Sequence, residues 1–192
     1  MTSNGLYRVI TYKDLHWWVQ GNHGGLNLSA IKRIVDQLEA MLSHHNKVLV
    51  LRFDLHCKSY SPDNRELSKF LKQLKIKLKA KYGFVRIGYV CCRERAKANA
   101  QHYHLALFLD GNKVNYPSKI CEMIECTWNQ GSVYFPKNRY YKLTRDDFNP
   151  ILETVFRLSY LAKTRSKEGT LPQTKKHLSS RIQRGPRFRF KN

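Results

Sequence analysis

His102-Tyr103-His104 is the pattern in this chain best suited to carry chemistry. In an extended strand, residues two apart face the same side, about 6–7 Å apart along the chain. Both imidazoles can then reach one divalent ion. Strand register supplies a third ligand. If the polar link RAKANA turns near Ala98, Glu94 falls directly opposite His102. Opposed Cβ atoms on one face stand about 4.5–5.5 Å apart. Two imidazoles and one carboxylate with open positions suit Mg²⁺ or Mn²⁺. The same register sets Cys92 beside His104, which keeps a Cys-His-His zinc site as a rival. A slip of one residue would turn Glu94 to the opposite face.

Tyr160-Leu161-Ala162-Lys163 is the second chemical signal. On a helix, a spacing of three brings phenol and ammonium onto one face, about 5–6 Å apart at Cβ. A phenol with an ordinary pKa near 10 is a poor nucleophile at neutral pH. A nearby cation favours the phenolate and stabilises charge developing on a reacting phosphorus. Taken alone, a half-buried helical tyrosine is more often structural.

Strands and helices must position these groups. Residues 47–57 (KVLVLRFDLHC) read as a strand, apolar at first, with Arg52, Asp54 and His56 then alternating against Phe53, Leu55 and Cys57. Strands at 84–94 and 101–111 form a hairpin that carries the metal ligands. Ser29 reads as the N-cap of a helix bearing Ile31, Ile34, Val35, Leu38, Met41 and Leu42 on one face. A second helix runs from the SPDN turn to about Tyr82, with Leu67, Phe70, Leu71, Leu74 and Leu78 inward. Lys69, Lys72, Lys75 and Lys79 share its outer face as a solvated surface or a nucleic-acid track. Residues 116–130 read as helical, GSVYFP as a short strand, and 145–163 as a helix whose start Pro150 sets. The first 28 residues read as irregular, with Trp17 and Trp18 either packed or stacking on bases. The expected class is α+β in βαββαβ order: an antiparallel sheet with the metal site on one face, helices on the other, and the tyrosine helix across it.

Charge points to the partner. The 192 residues hold 35 Lys and Arg against 14 Asp and Glu, a net charge of +21. A field this positive attracts polyanions, nucleic acid first among them. Residues 163–192 hold ten Lys and Arg and one acid, Glu168. We therefore expect one domain over 1–163 and a flexible basic tail over 164–192, in which Lys175, Lys176, Arg181 and Arg184 meet phosphates. The sequence contains no 18-residue apolar run and no apolar signal core at its start, so neither a membrane span nor a membrane partner is expected. Five cysteines without a C-x-x-C pair fit a reduced, cytoplasmic protein.

Together, the two-histidine strand, the upstream Glu94 and the Tyr-x-x-Lys helix resemble the HUH endonuclease superfamily of rolling-circle replication initiators and relaxases. RFDLHC at 52–57, CRE and HYHLALFLDGN within 92–112, and RLSYLAKTRSK at 157–167 resemble inovirus gene-two-type replication proteins and the YagK/YfjJ C-terminal domain, over about residues 27–167. The resemblance implies a ferredoxin-like or RNA-recognition-motif-like palm. It implies His102, His104 and Glu94 as ligands of Mg²⁺ or Mn²⁺, Tyr160 as nucleophile, Lys163 as its helper and Asp54 as a supporting residue. The implied activity is site-specific nicking of single-stranded or cruciform origin DNA of a phage or mobile element. It proceeds through a 5′-phosphotyrosine, with host replication machinery as a further partner. A DNA-binding regulator without catalysis and a zinc-dependent hydrolase are the alternatives.

Overall fold

The computed structural model describes residues 7–21, 25–95, 99–164, 175–186 and 188–190. Its main sheet is built from β3 (Lys47–His56), β4 (Gly88–Glu94), β5 (His102–Asp110), β6 (Val133–Tyr134), β7 (Tyr140–Thr144) and β8 (His177–Ser179). All pairings are antiparallel; β6 and β7 both lie along β3, and the order onward is β3, β5, β4, β8. Between these strands run α2 (Arg65–Tyr82) and α3 (Ser118–Glu125). Counted from β3, the central strands stand fourth, first, third, second, a βαββαβ order of the ferredoxin-like kind.

Side-chain alternation assigns the two faces. Leu49, Leu51, Phe53 and Leu55 of β3 pack with Leu67, Leu74 and Leu78 of α2 and Ile120 and Ile124 of α3. Val48 and Val50 point the other way, with Cys92, Ala106 and Phe108, against Ile34, Leu38 and Met41 of α1 (Leu28–His44) and Ile151 and Val155 of α4 (Asn149–Leu158). Helices thus cover both faces: α1 joins α4 on the site-bearing face, where the tyrosine helix alone was expected. The run VLVL at the start of β3 is apolar because each of its faces is buried.

Three local readings also change. The opening stretch is a hairpin, β1 (Tyr7–Tyr12) with β2 (Leu15–Gln20). Lys13 and Asp14 both have positive φ, as a two-residue type I′ turn requires, and without glycine there the sequence carries no turn signal. Trp17 is fully buried against Phe148 and Phe190, whereas Trp18 is 47% exposed beside Tyr7. The cap of α1 is Asn27, whose side chain accepts from the Ala30 N–H, and Ser29 lies within the helix. The last helix is shorter than expected: α4 ends at Leu158, and the chain tightens into a 3₁₀ turn over Ser159–Ala162. Pro150 does sit in its first turn.

The expected flexible tail is folded over its described part. β8 extends the sheet along β4, and the chain then follows α1. The Gly185 N–H donates to Ser43 Oγ at 2.8 Å, and the Phe190 N–H donates to Glu39 Oε1 at 2.9 Å. Charge counting missed this because Leu178, Ile182, Phe188 and Phe190 punctuate the basic run and supply its anchors. Residues 165–174 of that stretch lie outside the described residues.

Candidate metal centre

β3, β4 and β5 lie side by side, and their register brings the site together. Glu94 pairs with His102 and Cys92 with His104, the alignment expected from a turn at Ala98. On the other side of β5, Asp54 pairs with His104 and His56 with His102. All of these residues project on the face covered by α1 and α4, past the apolar positions Val48 and Val50.

Glu94, His102 and His104 each offer one donor atom, and the three atoms lie within 4.8 Å of one another. Glu94 Oε2 is 3.2 Å from His104 Nε2 and 3.8 Å from His102 Nε2. The other nitrogen of His104, Nδ1, is 2.8 Å from Asp54 Oδ1. Proteins commonly fix a metal-binding imidazole in this way, with a carboxylate on the far nitrogen setting tautomer and ring angle. Donor types and spacing therefore fit a divalent ion held by Glu94, His102 and His104, with Asp54 supporting His104. Cys92 lies beside His104 in register but is outside this donor group.

Electrostatics distinguish the two histidines. Burial lowers the His102 pKa, and the neighbouring His104 adds to that effect. For His104 burial also disfavours the charge, but hydrogen bonds to Asp54 and Glu94 outweigh it and the pKa rises. His102 is thus disposed to be neutral, and His104 is disposed to keep a proton between two carboxylates.

Tyr160 reaches this cluster from the 3₁₀ turn, which neighbouring elements fix. The Gln20 N–H donates to Ser159 Oγ at 2.9 Å, the Asn27 N–H to the Ala162 carbonyl at 2.8 Å, and the Thr164 N–H to the Gly25 carbonyl at 2.9 Å. The Tyr160 and His104 rings meet edge to face, with centroids 5.4 Å apart. A 3₁₀ turn has three residues per turn, so Lys163 eclipses Tyr160. Its Nζ sits 3.3 Å from the ring centroid, a cation–π contact with the ring face rather than a pair with the phenol oxygen. Burial raises the Tyr160 pKa, Glu94 raises it further, and Arg52 opposes the rise. The favouring of the phenolate expected from a nearby cation thus comes from Arg52, and it does not outweigh burial and Glu94. Lys163, 7% exposed, is lowered to about 8, mainly by burial.

Two participants escaped the sequence reading. The Arg52 guanidinium lies 5.0 Å from the Tyr160 ring centroid and 3.6 Å from Asp54 Oδ1. His56 stacks on His102 with centroids 5.5 Å apart. The alternation that exposed Asp54 places both residues on the same face, and that was the available signal. Of the cations expected to meet DNA, Lys75, Lys79, Lys175, Lys176 and Arg181 line surface grooves beside β8. Lys69 pairs with Glu66 at 2.8 Å and, like the exposed Lys72, stands apart from these grooves. Arg184 donates to the Gly185 and Phe188 carbonyls, closing its own loop.

The family model of the YagK/YfjJ C-terminal domain matches residues 11–175, a span that contains every residue of this centre. No curated protein and no solved structure matches the chain.

Proposed function

This chain belongs to the YagK/YfjJ C-terminal domain family, and we propose that it is a metal-dependent endonuclease that nicks single-stranded or cruciform DNA through a tyrosine nucleophile. The observation that carries this reading is the placement of the Tyr160 ring against His104, within the donor group Glu94, His102 and His104. A structural tyrosine has no need of a metal-ligand set at its edge.

The roles follow from the geometry. Glu94, His102 and His104 would hold Mg²⁺ or Mn²⁺, and Asp54 would keep Nε2 of His104 turned toward the ion. When bound, such an ion polarises a phosphoryl oxygen and neutralises charge at phosphorus. Tyr160 Oη attacks phosphorus and gives up its proton. The 3′-oxygen departs and takes up a proton, leaving a 5′-phosphotyrosine and a free 3′-hydroxyl. Lys163 and Arg52 supply positive charge beside the ring and the departing chain. A free 3′-hydroxyl primes a polymerase, which suits initiation of rolling-circle replication of a phage or mobile element.

Incubation with a labelled single-stranded oligonucleotide and Mn²⁺, followed by a denaturing gel, tests the reading. A covalent adduct lost with chelator supports it. Binding without an adduct on any DNA favours a regulator, and release of product without an adduct favours a hydrolase.

A further inference from the structure

A concentration of positive charge beside the metal centre takes no part in it. A groove of about 880 Å³ runs between β8 and the start of α1, lined by Arg33, Lys175, Lys176 and Arg181 together with Thr164. Thr164 follows Lys163 directly, so the groove begins where the Tyr160 segment ends. A second groove, of about 480 Å³, shares Tyr89, Ser179 and Arg181 with the first and adds Lys75, Lys79 and Arg86. Among the described residues no Asp or Glu lines either one.

The backbone that carries these cations is held to the sheet. The Arg93 N–H donates to the Lys176 carbonyl at 2.7 Å, and Asn64 Nδ2 to the Lys175 carbonyl at 3.0 Å. The Ser180 N–H donates to the Tyr89 carbonyl at 2.9 Å. Cations gathered on a fixed rail repel one another, and a polyanion relieves that repulsion. Burial lowers the Lys75 pKa, and the neighbouring Lys79 lowers it further.

We propose that the two joined grooves hold the single-stranded DNA flanking the phosphate cut at Tyr160, its backbone along β8 and a base against Tyr89. The identity of the cut strand rests on the nicking reading above. His104, Cys92 and His177 are neighbours on three successive strands, so β8 starts about 10 Å from His104 at the usual strand spacing. From Lys175 to Arg181 the chain spans at most roughly 20 Å, the length of about six stacked nucleotides. Tyr89 favours a single strand over a duplex, because only unpaired bases offer a face for stacking. Lys75 Nζ lies 4.9 Å from the Tyr89 centroid, so a base there meets aromatic surface and cation together.

Binding of fluorescent oligothymidylates of about six and about twenty nucleotides, measured in EDTA across a salt series, tests the groove without any cleavage. The longer strand should bind more tightly. The triple variant R33A/K176A/R181A should lower the log–log salt slope by about 2, at roughly 0.7 per lost contact. Tyr89→Leu should weaken binding on the order of tenfold at unchanged slope. K119A/K137A, on exposed lysines outside the grooves, should change neither. Thermal melts confirm that each variant is folded. An unchanged slope in the triple variant overturns the proposal, and so does equal competition by a duplex of the same length. If the slope falls but no Mn²⁺-dependent adduct forms, the nicking reading fails and the grooves remain a single-strand site. If the adduct forms and the slope holds, the groove proposal alone fails.

Discussion

Asp54 Oδ1 stands 2.8 Å from Nδ1 of His104, and that contact decides which nitrogen of the ring is turned toward Glu94. The pairing is built into the sheet, since Asp54 and His104 are direct partners of β3 and β5. A carboxylate so placed raises the basicity of the ligating nitrogen and holds its angle. Asp54→Asn keeps the shape and removes the charge. It should weaken Mn²⁺ binding by about 10–100-fold, read by titration calorimetry, with little change in the melting temperature of the metal-free protein. Affinity equal to that of the parent would leave Asp54 a purely structural partner.

The raised pKa of His104 sets a pH dependence for the same titration. Only the neutral imidazole is a ligand, so below the raised pKa the ion must displace a proton. Affinity should rise with pH through and above the ordinary histidine range and level off beyond it. His102, already disposed to be neutral, adds no proton near pH 7. Calorimetry in buffers of different ionisation heat should show net proton release on binding within the ordinary histidine range, and Asp54→Asn, which removes a charge that raises the His104 pKa, should lessen it. Release undiminished in that variant would assign the proton to another group.

The site was more legible in the sequence than its frame. Period-two alternation and one turn position were enough to pair Glu94 with His102, because a hairpin register depends only on local chain geometry. Arg52 and His56 shared the alternation that flagged Asp54, yet their value arises only when β5 and the Tyr160 turn pack beside them. The β1–β2 hairpin was hidden by a turn whose positive φ falls on Lys13 and Asp14. The Lys163 geometry was hidden by a switch from α to 3₁₀ winding, which no periodicity over four residues resolves. The terminal segment misled for a different reason. Its composition is basic, but its order depends on a few apolar anchors that meet α1 and the hairpin, distant in sequence.

Those anchors make the terminal segment part of the core. Phe190 is 3% exposed and packs edge-on against Trp17, with centroids 5.5 Å apart. Phe190→Ala should cost about 3 kcal/mol or more in urea unfolding, as for removal of a buried aromatic ring. Removing residues 175–192 should cost more still, since β8 leaves the sheet as well. A loosely attached tail would give no change in either experiment.

Tyr160 and Lys163 give the sharpest prediction. Tyr160→Phe removes one oxygen and keeps the ring between His104 and the cations, so folding should be unaffected. The covalent adduct should disappear, and mass spectrometry of the parent adduct should place the phosphate on Tyr160 rather than Tyr140 or Tyr141. Lys163→Ala should slow adduct formation by about 10²–10³, as for deletion of one charge-stabilising group. The pH profile separates this role from packing. With its pKa lowered to about 8, Lys163 carries its charge below that pH and loses it above. A phenol whose pKa burial has raised gains reactivity as pH climbs. The rate in the parent protein should therefore rise with pH and bend downward above about pH 8. In Lys163→Arg, whose cation persists, the downward limb should vanish. A Phe variant that still forms the adduct, or an Arg variant with the same downward limb, would remove these two residues from the chemistry.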